Sequence, residues 1–387
     1  MNILFLAPHP FYQERGTPIA VNLLLQALSS QGHKVDVLTY HEGTDVSHSG
    51  VTLHRISRPP FAKNVPPGPS IKKILCDLVM LPTALKMARN THYDLVHAVE
   101  ESVYMAMLIK RRYGIPYLYD MDSSLARQIA EKFGFLKFLL PLMTRTEGAA
   151  IKGALGVVPV CDALADIACA DGARKVILLR DISLLQPASA ADRAAVQNLI
   201  PDNNRPRIMY LGNLETYQGV DLMMESFARF IKTGGDADLI IAGGKEADVK
   251  RYQEKAITLG IDTQTRFLGH QPVSRMAALF ESADILVSPR IKGNNTPMKI
   301  YSYLASGKAI LATALPTHTQ VLTPEVAVLT PATVEDFADA MAKLANDKPL
   351  RQQLGQAACA LAQQSYSQAA FLATAQELYG WVKSEIS

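Results

Sequence analysis

Short apolar runs alternate with longer helix-period segments along nearly the whole chain, and this alternation restricts the fold more than any other feature. Strands are expected near residues 3–7, 35–39, 52–56, 95–98, 117–120, 157–160 and 176–179. Runs that are apolar throughout must be covered on both faces, as parallel strands are by crossover helices. A polar segment containing Ala and Pro, about 186–206, interrupts the pattern. It then restarts with strands near 207–211, 239–242, 266–268, 285–288, 309–312 and 327–329. The expected fold is therefore α/β: two Rossmann-like parallel-sheet domains facing across a cleft, residues 1–186 and 207–387, joined by a linker at 187–206. A chain of 387 residues is too long for one ordinary core and suits two.

Composition removes several classes. With 48% hydrophobic and 19% charged residues this is an ordinary globular chain, and a formal charge of +3 gives no global field for nucleic acid. Cys76, Cys161, Cys169 and Cys359 form no CxxC pair, so neither a zinc site nor a disulfide framework is expected. The start, MNILFLAPHP, lacks a cationic leader region and reads as a strand. No apolar run reaches the 18 or so residues that cross a bilayer. The nearest, 133–143, contains Lys137 and Pro141. A cytoplasmic protein is the expectation.

One region is locally basic. Arg55, Arg58, Lys63, Lys72, Lys73, Lys86 and Arg89 face a single acid, Asp77, and Lys110-Arg111-Arg112 follow. Solvated helix faces explain such a cluster. So does contact with anionic headgroups or a lipid-linked phosphate, which would place the protein at the inner face of a membrane.

In doubly wound sheets ligands bind in the loops leaving the carboxyl ends of strands. Three such loops carry chemistry. In PHPFYQERGTPIA, Thr17 suits an N-cap and Pro18 the first helical position, with Gly16 leaving room for a ligand near the helix amides. The second, 293–308, GNNTPMKIYSYLASGK, repeats the device with Thr296 and Pro297. Amides at Met298 and Lys299, together with the cations of Arg290, Lys292 and Lys299, point to an anion. The third, GNLETYQGVD, follows the strand 207–211. Ser306-Gly307-Lys308 lacks the upstream glycine of a Walker A loop, and neither GxSxG nor HExxH occurs.

The order of these elements resembles the GT-B glycosyltransferases of family 4 over essentially the whole chain. The matching pieces are the Gly loop whose helix runs into GHKVDVLT, then YDLVHA, LGNLETYQGVDLMMESF, LIIAGG, RFLGH, ADILVSPR and TPMKIYSYLASGKAILAT. The resemblance implies transfer of a sugar from a nucleotide-diphosphate sugar to a glycan, lipid-linked or small-molecule acceptor. The anomeric configuration would be retained, with neither metal nor cofactor. The first domain would hold the acceptor and the second the donor, with a last helix that returns to the first domain.

By position, the resemblance implies donor contacts from Gly16, Asn213, Gln218, Gly243, His270, Arg290, Asn294, Asn295, Thr296, Pro297, Met298, Lys299 and Ser302. It assigns catalytic roles to Asp122 and Lys299. Three departures stand out. Asn213 and Gln218 occupy positions where the family commonly has Arg and Lys. Asn294 and Ser302 replace two glutamates eight positions apart. Asp122, or alternatively Asp120, replaces a sugar-contacting histidine. The residues admit either a divergent transferase that moved its charge to Arg290, Lys292 and Lys299, or a weakly catalytic nucleotide-sugar-binding protein. A sugar epimerase on the same architecture is a third reading. His97, Glu100 and Glu101 end the strand at 95–98, where they could orient an acceptor or simply be solvated charges.

Overall fold

The computed structural model describes residues 1–13, 16–66, 68–126, 138, 140–183, 185–293 and 295–386. Their contacts divide the chain into two compact units. One is Met1–Asp181 with Phe371–Ser387, and the other is Ile182–Ala370. The terminal helix, Gln368–Ile386, is thus counted almost entirely with the first unit.

The first unit holds a six-stranded parallel sheet of β1 (Asn2–Ala7), β2 (Lys34–Thr39), β3 (Val51–Arg55), β4 (Leu95–Val99), β5 (Tyr117–Met121) and β6 (Gly156–Pro159). Its spatial order is β3-β2-β1-β4-β5-β6. The second unit repeats this order with β7 (Arg207–Leu211), β8 (Asp238–Ala242), β9 (Thr265–Gly269), β10 (Ile285–Ser288), β11 (Ala309–Thr313) and β12 (Val328–Thr330), arranged β12-β11-β10-β7-β8-β9. Both are doubly wound sheets. Their direction of winding reverses between β1 and β4 in one and between β7 and β10 in the other, where the loops part and leave a crevice.

Pleating explains why the sheets are covered on both sides. In β7, Ile208 and Tyr210 join one apolar cluster while Met209 and Leu211 join the other, and all four are at most 6% exposed. The helix Val220–Lys232 buries Met223, Met224, Phe227 and Phe230 against the first of these faces.

Two expectations change. Residues 176–179 do not form a seventh strand. They run beside β6, with Ile177 N–H donating to Val157 O and Leu179 N–H to Pro159 O, but pair only through a bridge between Val157 and Val176. Pro159 has no N–H for the next rung, so the ladder stops there. The segment expected as a linker contains a helix, as its Ala-rich run at 188–195 leads one to expect: Ala190–Gln197, capped by Ser189, whose hydroxyl accepts from Asp192 N–H. Finally, the helix after β1 spans Gly16–Ser30, which puts Thr17 inside its first turn rather than at its cap.

Candidate functional site

The second unit gathers its candidate residues where the winding reverses. The loop after β7 carries Gly212, Asn213 and Gln218, the loop after β8 carries Gly243, and the loop after β10 leads to Pro297 and Lys299. With His270, beyond β9, these line one open groove of about 490 Å³. Gly243 is required by geometry. It sits at φ 109°, and a Cβ there would lie 2.2 Å from the Gly212 carbonyl oxygen. The two loops therefore touch through bare backbone.

Lys299 begins the helix Lys299–Ser306 and reaches back under the β7 loop. Its ammonium donates to Leu211 O and to Gln218 Oε1, both at 3.3 Å, and lies 4.2 Å from the centre of the Tyr210 ring. Tyr210 is itself fixed, its hydroxyl donating to Asn213 O at 2.6 Å. None of these partners is a carboxylate. Burial, reinforced by the neighbouring Arg290 charge, pushes the Lys299 pKa down to about 7. An amine desolvated this strongly without a counter-ion is prepared for an anionic ligand.

Arg290 is disposed differently. Its Nη1 donates to Asn295 O at 3.0 Å, and its guanidinium lies 5.0 Å from the Tyr217 ring centre. Burial lowers its pKa. This cation holds the loop in shape, and of the two it is Lys299 that lines the groove, where Lys245 also stands. Beneath both sits His318, wholly buried. Its Nδ1–H donates to Thr313 O, and its Nε2 accepts from Ser288 Oγ, each at 2.8 Å. Burial takes its pKa down to about 4, so it is a neutral strut. Thr313 in turn donates to Arg290 O at 2.6 Å.

The expected cap at Thr296 does not form. The helix starts at Lys299, with Ile300 N–H donating to Pro297 O in a tight first turn. The Thr296 hydroxyl is buried with no hydrogen-bond partner among the described residues. Met298 takes the cap position without a side-chain bond, Asn295 supplies its carbonyl to Arg290, and Ser302 lies within the helix. Asn294 lies outside the described residues. Lys292 is exposed beside Tyr217 and Arg251, on a neighbouring hollow.

The first unit brings a second set together at the ends of β4 and β5. Asp122 follows β5 and accepts a hydrogen bond from Thr17. Burial, with Asp120, Glu100 and Asp181 nearby, raises its pKa well above the usual carboxylate value. Burial and Asp120 likewise push Asp181 up to about 7. Gly16 has open space where a Cβ would stand, so packing alone does not demand glycine. His97, Glu100 and Glu101 are not solvated. Glu101 pairs with Lys73 at 2.5 Å, Glu100 accepts from Ser123 Oγ at 3.2 Å, and His97 is wholly buried.

The pairing of Lys73 also removes one charge from the expected basic patch. Arg55 removes another, by donating to Glu42 O and Asp45 Oδ1. Sequence reasoning missed Tyr210 and Asp181. Strand parity marks Tyr210, because it shares a face with buried Ile208 just before a candidate loop, whereas nothing local marks Asp181.

Among the described residues no group of three or more His, Cys, Asp or Glu is arranged to hold a metal ion. Nor, among the described residues, is any helix long and apolar enough to cross a membrane.

Residues 15–179 match the glycosyl transferase 4-like domain, and residues 192–360 match glycosyl transferases group 1. D-inositol 3-phosphate glycosyltransferase of Corynebacterium aurimucosum is 27% identical over 210 residues, 51% of this chain and 49% of that protein. Phosphatidyl-myo-inositol mannosyltransferase of Mycobacterium leprae is 27% identical over 148 residues, 38% of each. The chain thus spans about half the length, or less, of the curated relatives it matches. Among solved structures, sucrose-phosphate synthase from Thermosynechococcus elongatus aligns with a TM-score of 0.77 at 17% identity, over 99% of both chains. Anabaena HepE in complex with UDP aligns with a TM-score of 0.77 at 15% identity, over 99% of this chain and all of that one. Two doubly wound parallel sheets, carrying these two domains in succession, identify the chain as a member of the family 4 GT-B glycosyltransferases.

Proposed function

We propose that the protein transfers a sugar from a nucleotide-diphosphate sugar, with retention of configuration, to a hydroxyl of a glycan or lipid-linked acceptor. The observation that carries this reading is the Lys299 ammonium, desolvated and without a carboxylate partner, in a groove whose floor is glycine backbone. The diphosphate lies over Gly212 and Lys299, and the base lies toward His270. The bond from the anomeric carbon to the diphosphate breaks as the acceptor oxygen bonds to that carbon, and the acceptor proton leaves on the departing diphosphate. A fixed cation and fixed backbone dipoles stabilise the charge that develops on the leaving group. Asp122, its proton held by burial and by neighbouring carboxylates, donates a hydrogen bond to a sugar hydroxyl. UDP-glucose is the first donor to test, because HepE was solved with it.

A thermal-shift screen against UDP-, GDP-, ADP- and dTDP-sugars tests the proposal. A donor present at a hundred times its Kd stabilises the protein by about 2.7 kcal/mol. One of the four should raise the melting temperature, and that donor should be slowly hydrolysed. No shift with any of them would sink the reading. Binding without hydrolysis or transfer would favour a nucleotide-sugar-binding protein, and an isomerised sugar an epimerase.

A lipid-linked acceptor is favoured by one surface. On the helix Ile71–Asn90, Ile71, Ile74 and Leu78 point outward at 77%, 59% and 64% exposure, and Phe61 nearby is 93% exposed. Arg58 and Lys63 are exposed close by in sequence. An apolar stripe flanked by cations inserts shallowly into an anionic interface. Cosedimentation with phosphatidylglycerol vesicles should exceed that with phosphatidylcholine vesicles, and Ile71→Ser combined with Leu78→Ser should abolish it. Equal recovery with both lipids would remove the surface from the reading. The apolar stretch at 133–143 lies mostly outside the described residues.

A further inference from the structure

The first unit contains a buried chain of three polar groups drawn from distant parts of the sequence. Tyr379, on the terminal helix, places its hydroxyl 2.8 Å from His97 Nδ1. His97 Nε2 lies 3.0 Å from Asp120 Oδ2. The imidazole is stacked on Phe5, its neighbour in the sheet, with ring centres 4.4 Å apart. His97 is fully buried, Tyr379 is 1% exposed and Asp120 is 9% exposed. The helix is seated by Trp381, which packs where Gly156 has no side chain. A Cβ at Gly156 would come 2.9 Å from the indole.

A carboxylate oxygen is an acceptor, so Nε2 is the nitrogen of His97 that donates across the 3.0 Å contact. Nδ1 is then an acceptor, and the phenol must donate to it. Burial keeps the Tyr379 phenol protonated. Asp120 is the carboxylate that, after burial, does most to raise the pKa of Asp122, ahead of Glu100 and Asp181, while Thr17 opposes the rise. The same Asp120 raises Asp181. Burial comes first at both residues and Asp120 is the charged group that adds most to it, so its placement bears on how the residues around Asp122 share their protons.

We propose that Tyr379 and His97 are positioning residues: the Tyr379 hydroxyl fixes the tautomer of His97, whose Nε2–H holds the Asp120 carboxylate in place beside Asp122. The terminal helix is by this means part of the site. The inference rests on the reading of Asp122 as a sugar contact, but its geometry can be tested separately.

Two measurements on the full-length chain decide it. Long-range 15N–1H correlation spectra at neutral pH, with His97 assigned by its loss in His97→Gln, should show the Nε2–H tautomer in the native protein and a mixture in Tyr379→Phe. An Nδ1–H tautomer, an imidazolium, or a spectrum unchanged by Tyr379→Phe would overturn the proposal. In the second, Tyr379→Phe should lower UDP-glucose turnover about tenfold, the equivalent of about 1.4 kcal/mol and hence of one buried hydrogen bond. The Kd for UDP should not change, because the nucleotide groove belongs to the other unit. Leucine at position 97 fills the space but cannot donate, whereas the glutamine amide can. Turnover should therefore fall further in His97→Leu than in His97→Gln, and the reverse order, or native turnover in Tyr379→Phe, would leave the pair with a packing role only. If the native protein turns over no UDP-glucose, the donor assignment fails, and the tautomer spectra still decide the relay.

Discussion

Lys299→Met is expected to weaken UDP binding about a hundredfold, roughly 3 kcal/mol, while raising the melting temperature of the unliganded protein. The two effects have one cause. With no carboxylate to offset it, the buried amine loses more from dehydration than it recovers from Leu211 O, Gln218 Oε1 and the Tyr210 ring. A bound diphosphate reverses the balance. The pH dependence follows from a pKa of about 7 in the folded chain and near 10.4 in the unfolded chain. Between these values the unfolded state binds more protons, so this residue makes stability increase with pH across that window. Lys299→Met lacks that increase, and the gap between the two melting temperatures should narrow from pH 7 toward pH 10. Ligand affinity runs the opposite way. UDP-glucose favours the charged amine, so its Kd should be lowest below pH 7 and rise about tenfold per unit above it, with proton uptake visible by calorimetry. An unchanged Kd in Lys299→Met would place the diphosphate elsewhere.

The second large effect is expected at Gly219. This residue joins Gln218 to the helix Val220–Lys232 at φ 73°, and a Cβ there would lie 1.9 Å from the Pro289 carbonyl oxygen. Both candidate loops meet at this point, since Ile291 N–H also donates to Tyr217 O at 3.0 Å. Gly219→Ala must therefore push apart the strand ends that frame the groove, and should cost more than about 4 kcal/mol with loss of UDP binding. Gly260 provides the comparison. It has nearly the same backbone, φ 70° and ψ 31°, but open space around it. Gly260→Ala should cost only the left-handed penalty of about 1–2 kcal/mol. Urea denaturation of both variants measures the difference, and equal losses would show that the approach to Pro289 is not what demands glycine.

The parallel architecture was legible because fully buried strands leave unbroken apolar runs. Residues 207–211 and 285–288 coincide with β7 and β10 for this reason. The limits appear where one atom decides. A missing N–H at Pro159 ends a ladder that the apolar run Val176-Ile177-Leu178-Leu179 would otherwise continue. Thr296 has the residue type of a helix cap, yet its hydroxyl is buried and the helix begins three residues later. Three cations near one loop suggested a shared charge. Sequence cannot distinguish Lys299, which reaches the groove, from Arg290, whose guanidinium is committed to Asn295 and Tyr217. His97 and Tyr379 are separated by 282 positions, and no local pattern could join them.

The first unit is discontinuous, and this bears on how the chain matures on the ribosome. The central unit, Ile182–Ala370, is contiguous and can close as soon as it emerges. The earlier unit must wait for its final seventeen or so residues before Tyr379 and Trp381 can seal the sheet. The half that is made first is thus the last to be finished.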